Sequence, residues 1–197
     1  KPALHIAMPP RDSDCLCSYV IDLIFRAHGI DPMDIVKWGG SYFEHENPRA
    51  TLKAAQAGDC NAVFNEAIMV SNWSDLVAQF PMNFIPIEPE AMQILIGEYG
   101  LKPAVIEKGR LRNVQDVRCL DWSNWGVLCH DDMPDDAAYR VTAVMVEERA
   151  EFEPRFRHMP VHQSPLTYPI DPKRMPHDVD APLHPGAERY YREHGYL

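Results

Sequence analysis

Arg11, Asp12, Ser13 and Asp14 stand between an apolar run, Leu4 to Met8, and a stretch with helical periodicity that begins at Cys15. A strand followed by a polar loop and a helix places free backbone N–H groups and the positive end of the helix dipole together, a setting that favours anions. Arg11 adds a planar guanidinium able to grip a carboxylate through two parallel hydrogen bonds. Ser13 and Asp14 supply further polar contacts. The same residues also read as ordinary helix caps, with Asp12 or Ser13 on the first turn and Arg11 in solvent. Asn65 and Glu66 follow a second apolar run, Cys60 to Phe64, at a topologically equivalent place. They too read as ligand contacts or as caps. Trp38 and Trp125 stand at the ends or starts of strand-like runs, where aromatic rings wall small-molecule sites or pack into a core.

Other chemistries find little support. There are nine His, and none shows the HExxH spacing. His158 and His162 flank Pro160, which disfavours a shared helical face. The Asp131-Asp132 and Asp135-Asp136 pairs precede a helical stretch and read as a capping cluster. Cys15 and Cys17 are too close for an easy bridge, and Cys60, Cys119 and Cys129 stand alone, so zinc-type pairing is missing. No GxSxG, GxGxxG or Walker A motif occurs, and nothing pairs a nucleophile with a base. The expectation is a protein without metal or cofactor that is not an enzyme.

The elements that must position these residues alternate. Strands are expected at Leu4–Met8, Asp34–Trp38, Cys60–Phe64, Asn83–Ile87 and Trp125–Cys129. Helices are expected over Cys15–His28, Asn47–Ala57, Ala67–Phe80, Glu88–Tyr99, Ala137–Glu151 and Pro185–His194. Phe152 to Leu183, rich in Pro and His, reads as a wrapping segment. Alternation of this kind implies a parallel sheet flanked by helices. The net charge of −10, with no basic run, excludes nucleic acid as a partner. No apolar run is long enough to span a bilayer. The chain begins at Lys1 rather than Met, as a processed product would.

The run Pro182-Leu183-His184-Pro185-Gly186-Ala187-Glu188-Arg189-Tyr190-Tyr191-Arg192-Glu193-His194-Gly195 resembles the terminal signature of TAXI-type TRAP transporter solute receptors, P-L-H-P-G-A-x-x-Y-Y-x-E-x-G. Gly58 to Phe64, Phe84 to Ile87 and Met133 to Tyr139 resemble further segments of that family in the same order. The resemblance implies a periplasmic-binding-protein-like α/β fold with parallel-rich sheets flanked by helices. It implies a periplasmic receptor that closes over a small organic solute, a carboxylate or an amino acid, and delivers it to membrane permease subunits. By comparison with that family the N-terminal third is missing. Residues 3–80 would then form one complete lobe, and 81–197 would return to an incomplete other lobe, favouring a homodimer. Where the family often carries Gly-Ser-Gly-Thr, this chain has Pro9 to Cys15. The alternative on the same architecture is an enzyme, a decarboxylase or a cofactor-biosynthesis protein, with His5, Cys15 or Glu66 supplying the chemistry.

Overall fold

A computed structural model describes residues 3–11, 15–66, 71–122, 126–155, 169–177, 179 and 181–197. It divides into two compact units, Lys1–Asp121 and Trp122–Leu197.

In the first unit, β1 (His5–Met8) lies between β2 (Ser41–Glu44) and β3 (Ala62–Val63), and both pairings are parallel. Helices α1 (Leu16–Ala27) and α3 (Pro48–Ala57) make the crossovers required between parallel neighbours. The sheet is thus of the parallel, helix-flanked α/β kind that the alternating pattern predicts. Ile6 and Met8 pack with Cys17, Ile21 and Phe25 of α1, a spacing of four along one helical stripe. β3 has only two ladder residues, but Asn61 lengthens it with its side chain. Its Oδ1 accepts from the His5 N–H at 2.8 Å and its Nδ2 donates to the Ala3 carbonyl at 2.8 Å.

The strand expected at Asp34–Trp38 is instead a helix, α2 (Pro32–Lys37). The β-branched pair Ile35-Val36 suggests extension, but local capping decides otherwise. Asp31 Oδ1 accepts from the Met33 N–H at 2.8 Å, Pro32 occupies the first turn, and Lys37 pairs with Asp34 at 2.7 Å. The second strand is therefore β2, further along. The chain reaches it through Gly40, where a Cβ would lie 2.2 Å from the Leu4 carbonyl oxygen, so only glycine fits between α2 and β1.

Helix α4 (Ser71–Gln79) follows β3, and α5 (Pro89–Tyr99) ends at Gly100, whose φ is 65°. Residues 67–70, with which the α4 expectation began, lie outside the described residues. Asn83–Ile87 is not a strand: Ile85 is 83 % exposed, and Ile87 gives its N–H to the Arg118 carbonyl. An antiparallel pair that the sequence reading missed, β4 (Pro103–Ile106) and β5 (Val117–Leu120), completes the unit. Val117, Leu111 and Val114 pack with Leu52, Trp73 and Leu76 into a second core.

In the second unit, Gly126–Cys129 is not a strand; Val127 and Leu128 are 66 % and 85 % exposed and pair with nothing regular. Helix α6 (Asp135–Glu147) runs into a short α7 (Arg149–Phe152), and α8 (Pro185–Glu193) packs on α6. Val146, Tyr190 and Tyr191 form the core there. Part of the wrapping segment, 156–168, and with it His158 and His162, lies outside the described residues. No helix among the described residues is long and apolar enough to cross a membrane.

Candidate functional site

Parallel strands deliver their following residues to one edge of the sheet. At this carboxyl edge, β1 leads to Pro9-Pro10-Arg11, β2 to His45, and β3 to Phe64-Asn65-Glu66. Ligands of open α/β sheets bind outside this edge.

The loop after β1 is pinned to α1. The buried Ser18 hydroxyl lies 2.7 Å from the Pro10 carbonyl oxygen and 3.1 Å from that of Pro9. Arg11 is built into the wall. Its Nε and Nη2 both donate to Asp22 Oδ1 at 3.1 Å, and its guanidinium lies 3.6 Å from the centre of the Tyr42 ring. Its backbone N–H donates to Glu44 Oε2 at 3.1 Å. The Tyr42 hydroxyl in turn donates to the Pro32 carbonyl, and burial pushes that phenol above its ordinary range. The guanidinium is thus neutralised by Asp22 and oriented by Tyr42.

The N-cap of helix α1 is Cys15 rather than an Asp or Ser, and the Cys15 side chain makes no cap hydrogen bond. Asp12, Ser13 and Asp14 lie outside the described residues, as does Trp125. Two residues into the helix, the buried Cys17 thiol donates to Glu66 Oε2 at 3.0 Å. Burial, then the hydrogen bond to Glu66 and its charge, raise this thiol far above the ordinary cysteine range. Cys17 therefore stays S–H at neutral pH, a donor that fixes the Glu66 carboxylate rather than a nucleophile.

His45 is a rim residue that sequence reading missed. Its N–H continues the ladder to the Met8 carbonyl at 3.0 Å. Its Nε2 is buried and has no hydrogen-bond partner among the described residues. The signal was the aromatic pair Tyr42-Phe43 after two glycines, which marks a strand whose end is His45.

The predicted site residues thus separate. Arg11, Asn65 and Glu66 share the carboxyl edge. Trp38 is the C-cap of α2, 62 % exposed, and leads into the start of β2 at the opposite edge. His5 is also at that opposite edge, with Nδ1 2.7 Å from Ser41 Oγ. A hollow of about 170 Å³ near the start of β3, walled by Ala55, Cys60, Val63, Leu76 and Phe80, is largely apolar. Further along the chain, His130, Asp131 and Asp132 bring ligand-type atoms within 4.8 Å of one another, all exposed. Of the expected capping cluster, Asp135 and Asp136 do stand in the first turn of α6, where negative charge suits the helix dipole, whereas no side chain caps it. Pro134 is the N-cap of α6, and Asp136 pairs with Arg189 at 2.8 Å.

A helix-flanked parallel sheet with polar groups gathered at its strand ends is the architecture of periplasmic-binding-protein-like solute receptors. The NMT1-like family profile matches residues 19–195, and the chain belongs to the NMT1-like family. This is a family of solute-binding proteins, so the chain carries a binding role, and its family is an extracytoplasmic one. The match includes Asn65 and Glu66 but begins after Arg11 and Cys17. No curated protein matches the chain.

Proposed function

We propose that this protein is the receptor component of a TRAP-type uptake system of the TAXI kind, holding a small organic solute in the periplasm for delivery to membrane permease subunits. The observation that carries the reading is the convergence of Arg11, His45, Asn65 and Glu66 on the carboxyl edge of one parallel sheet, in a member of a solute-binding family. Ser13 and Asp14 join the proposed contacts by their place in the β1–α1 loop; Trp38 lies at the other edge and is left out, as is Trp125, which falls in the second unit.

The solute is a carboxylate or an amino acid, and the charges favour the amino acid. Arg11 already spends its guanidinium on Asp22, whereas Glu66 is a half-buried carboxylate held by Cys17 and suited to an ammonium group. An enzyme on the same architecture would need a base and a nucleophile in one cleft. His5 sits at the far edge, away from Cys15 at the start of α1 and from Glu66, and the nearby Cys17 is held as a thiol.

Native mass spectrometry of the purified protein, followed by a thermal-shift panel of organic acids and amino acids, tests the reading. Retention of a small acid or amino acid, or a clear rise in Tm with one, is the expected result. Turnover of such a compound, or a flat response to the whole panel with nothing retained, would overturn it.

A further inference from the structure

The C-terminal run from Pro182 to Gly195 is the most distinctive stretch of the sequence, yet its residues serve the packing of α8 on α6. His184 lies at the centre of that contact. Its side chain is only 8 % exposed. Nδ1 accepts from the Gly186 N–H at 3.1 Å, which caps α8, and Nε2 lies 3.0 Å from the Met133 carbonyl oxygen, just before α6. An amide only donates and a carbonyl only accepts, so these two partners fix the ring as neutral, with its proton on Nε2.

The surroundings make that neutrality matter. Asp135 and Pro185 open α6 and α8, so the ring sits beside two helix N-termini, each carrying partial positive charge. A proton on Nδ1 would face the Gly186 N–H, donor against donor. On α6, Asp135 Oδ1 lies 3.9 Å from Nδ1, while Asp136 is taken up by Arg189. On α8, Glu188 pairs with Arg192, and Arg189 stacks over the Tyr139 ring at 4.8 Å. On the turn before α6, His130, Asp131 and Asp132 are exposed. Asp135 is the acceptor a charged ring would turn to, and turning to it takes the ring off the Gly186 amide. Either outcome removes the cap. The contact it guards is tight: a Cβ on Gly186 would lie 2.0 Å from the Asp135 carbonyl oxygen.

We propose that His184 is a proton-operated latch, which in its neutral form joins Met133 to Gly186 and holds the start of α8 on the start of α6, and which releases α8 when it is protonated. The α6–α8 contact is then strongest near neutral pH and loosens on acidification, independently of what the protein binds.

The test is NMR on the full chain. The ring nitrogens of His184 report the tautomer directly, and at neutral pH the proton is expected on Nε2. On acidification from about pH 7.5 to about pH 5, the hydrogen-exchange protection factor of the Gly186 amide should fall about five- to ten-fold, the size of a lost helix cap. In His184→Asn, which keeps a short capping oxygen and cannot titrate, that protection should not depend on pH. A proton found on Nδ1, wild-type protection that is flat across the range, or the same pH dependence in His184→Asn would each overturn the latch. The ring-nitrogen reading needs the wild-type protein alone, so the idea stays testable if the variant folds poorly.

Discussion

Cys17 and Glu66 meet thiol to carboxylate at 3.0 Å although they stand 49 positions apart in the chain. The contact ties the first turn of α1 to the end of β3 and places a fixed anion at the carboxyl edge of the sheet. It also sets the reactivity of the thiol, because burial and the neighbouring charge both favour the protonated form.

Thiol labelling follows from this. Cys129 is exposed and should alkylate first, and Cys17 last, when the folded protein is treated with iodoacetamide and followed by mass spectrometry. Glu66→Gln removes an acceptor and a negative charge, so the Cys17 thiol should move down and label faster, while burial, the larger cause, keeps it above an ordinary cysteine. Equal rates at Cys17 and Cys129 in the wild-type protein would contradict the buried pair.

Arg11→Lys should not be silent. Lysine keeps the charge but loses both the two-nitrogen contact with Asp22 and the flat stacking on Tyr42. A loss of about 1 kcal/mol in urea unfolding is expected, given a partly buried ion pair and one cation–π contact. Unchanged stability would mean that the guanidinium is not part of the wall.

Gly186→Ala should undock α8. The added methyl would strike backbone, the Asp135 carbonyl, which cannot swing away as a side-chain tip can. A cost of about 2–3 kcal/mol is expected from forced overpacking, read as an early loss of the near-UV signal from Tyr190 and Tyr191. Near-native stability would show that the starts of α6 and α8 do not meet at Gly186.

Alkaline pH should release the same helix. Burial, then the Glu147 carboxylate, raise the Tyr190 phenol to about 12. A phenol whose folded value exceeds its unfolded one stabilises the fold fully below the unfolded value, near 10. That contribution is lost as pH rises through about 12. Spectrophotometric titration should therefore show several tyrosines ionising above the ordinary value, Tyr190 the latest of them, together with loss of helix signal. If every tyrosine titrated near the ordinary value with the fold intact, the buried Tyr190–Glu147 contact would be wrong.

Local signals in the sequence went as far as local physics goes. α1, α3, α5 and α8 were legible because each carries a helical stripe and a recognisable end, such as the Asn47 cap or Gly100. α2 was misread because two β-branched residues speak for extension, while the Asp31 cap and Pro32, which decide the matter, act through hydrogen bonds. Strands were harder, since a strand exists only where a partner lies beside it. Phe84 to Ile87 and Val127-Leu128 look strand-like but pair with nothing regular, whereas β4 and β5 find each other across ten intervening residues. At the candidate site, Arg11, Asn65 and Glu66 were legible from strand ends. His45 was not, because its strand was placed too early. That Arg11 is spent on Asp22 depends on a tertiary contact that no spacing reveals.

A two-residue strand has almost nothing of its own to keep it from sliding along its neighbour, and a slide of one place would turn every following side chain to the other face. The amide of Asn61, holding both His5 and Ala3, removes that freedom from the opposite end. It works as a locating pin: the aim of Glu66, five positions downstream, is set by an asparagine that never comes near it.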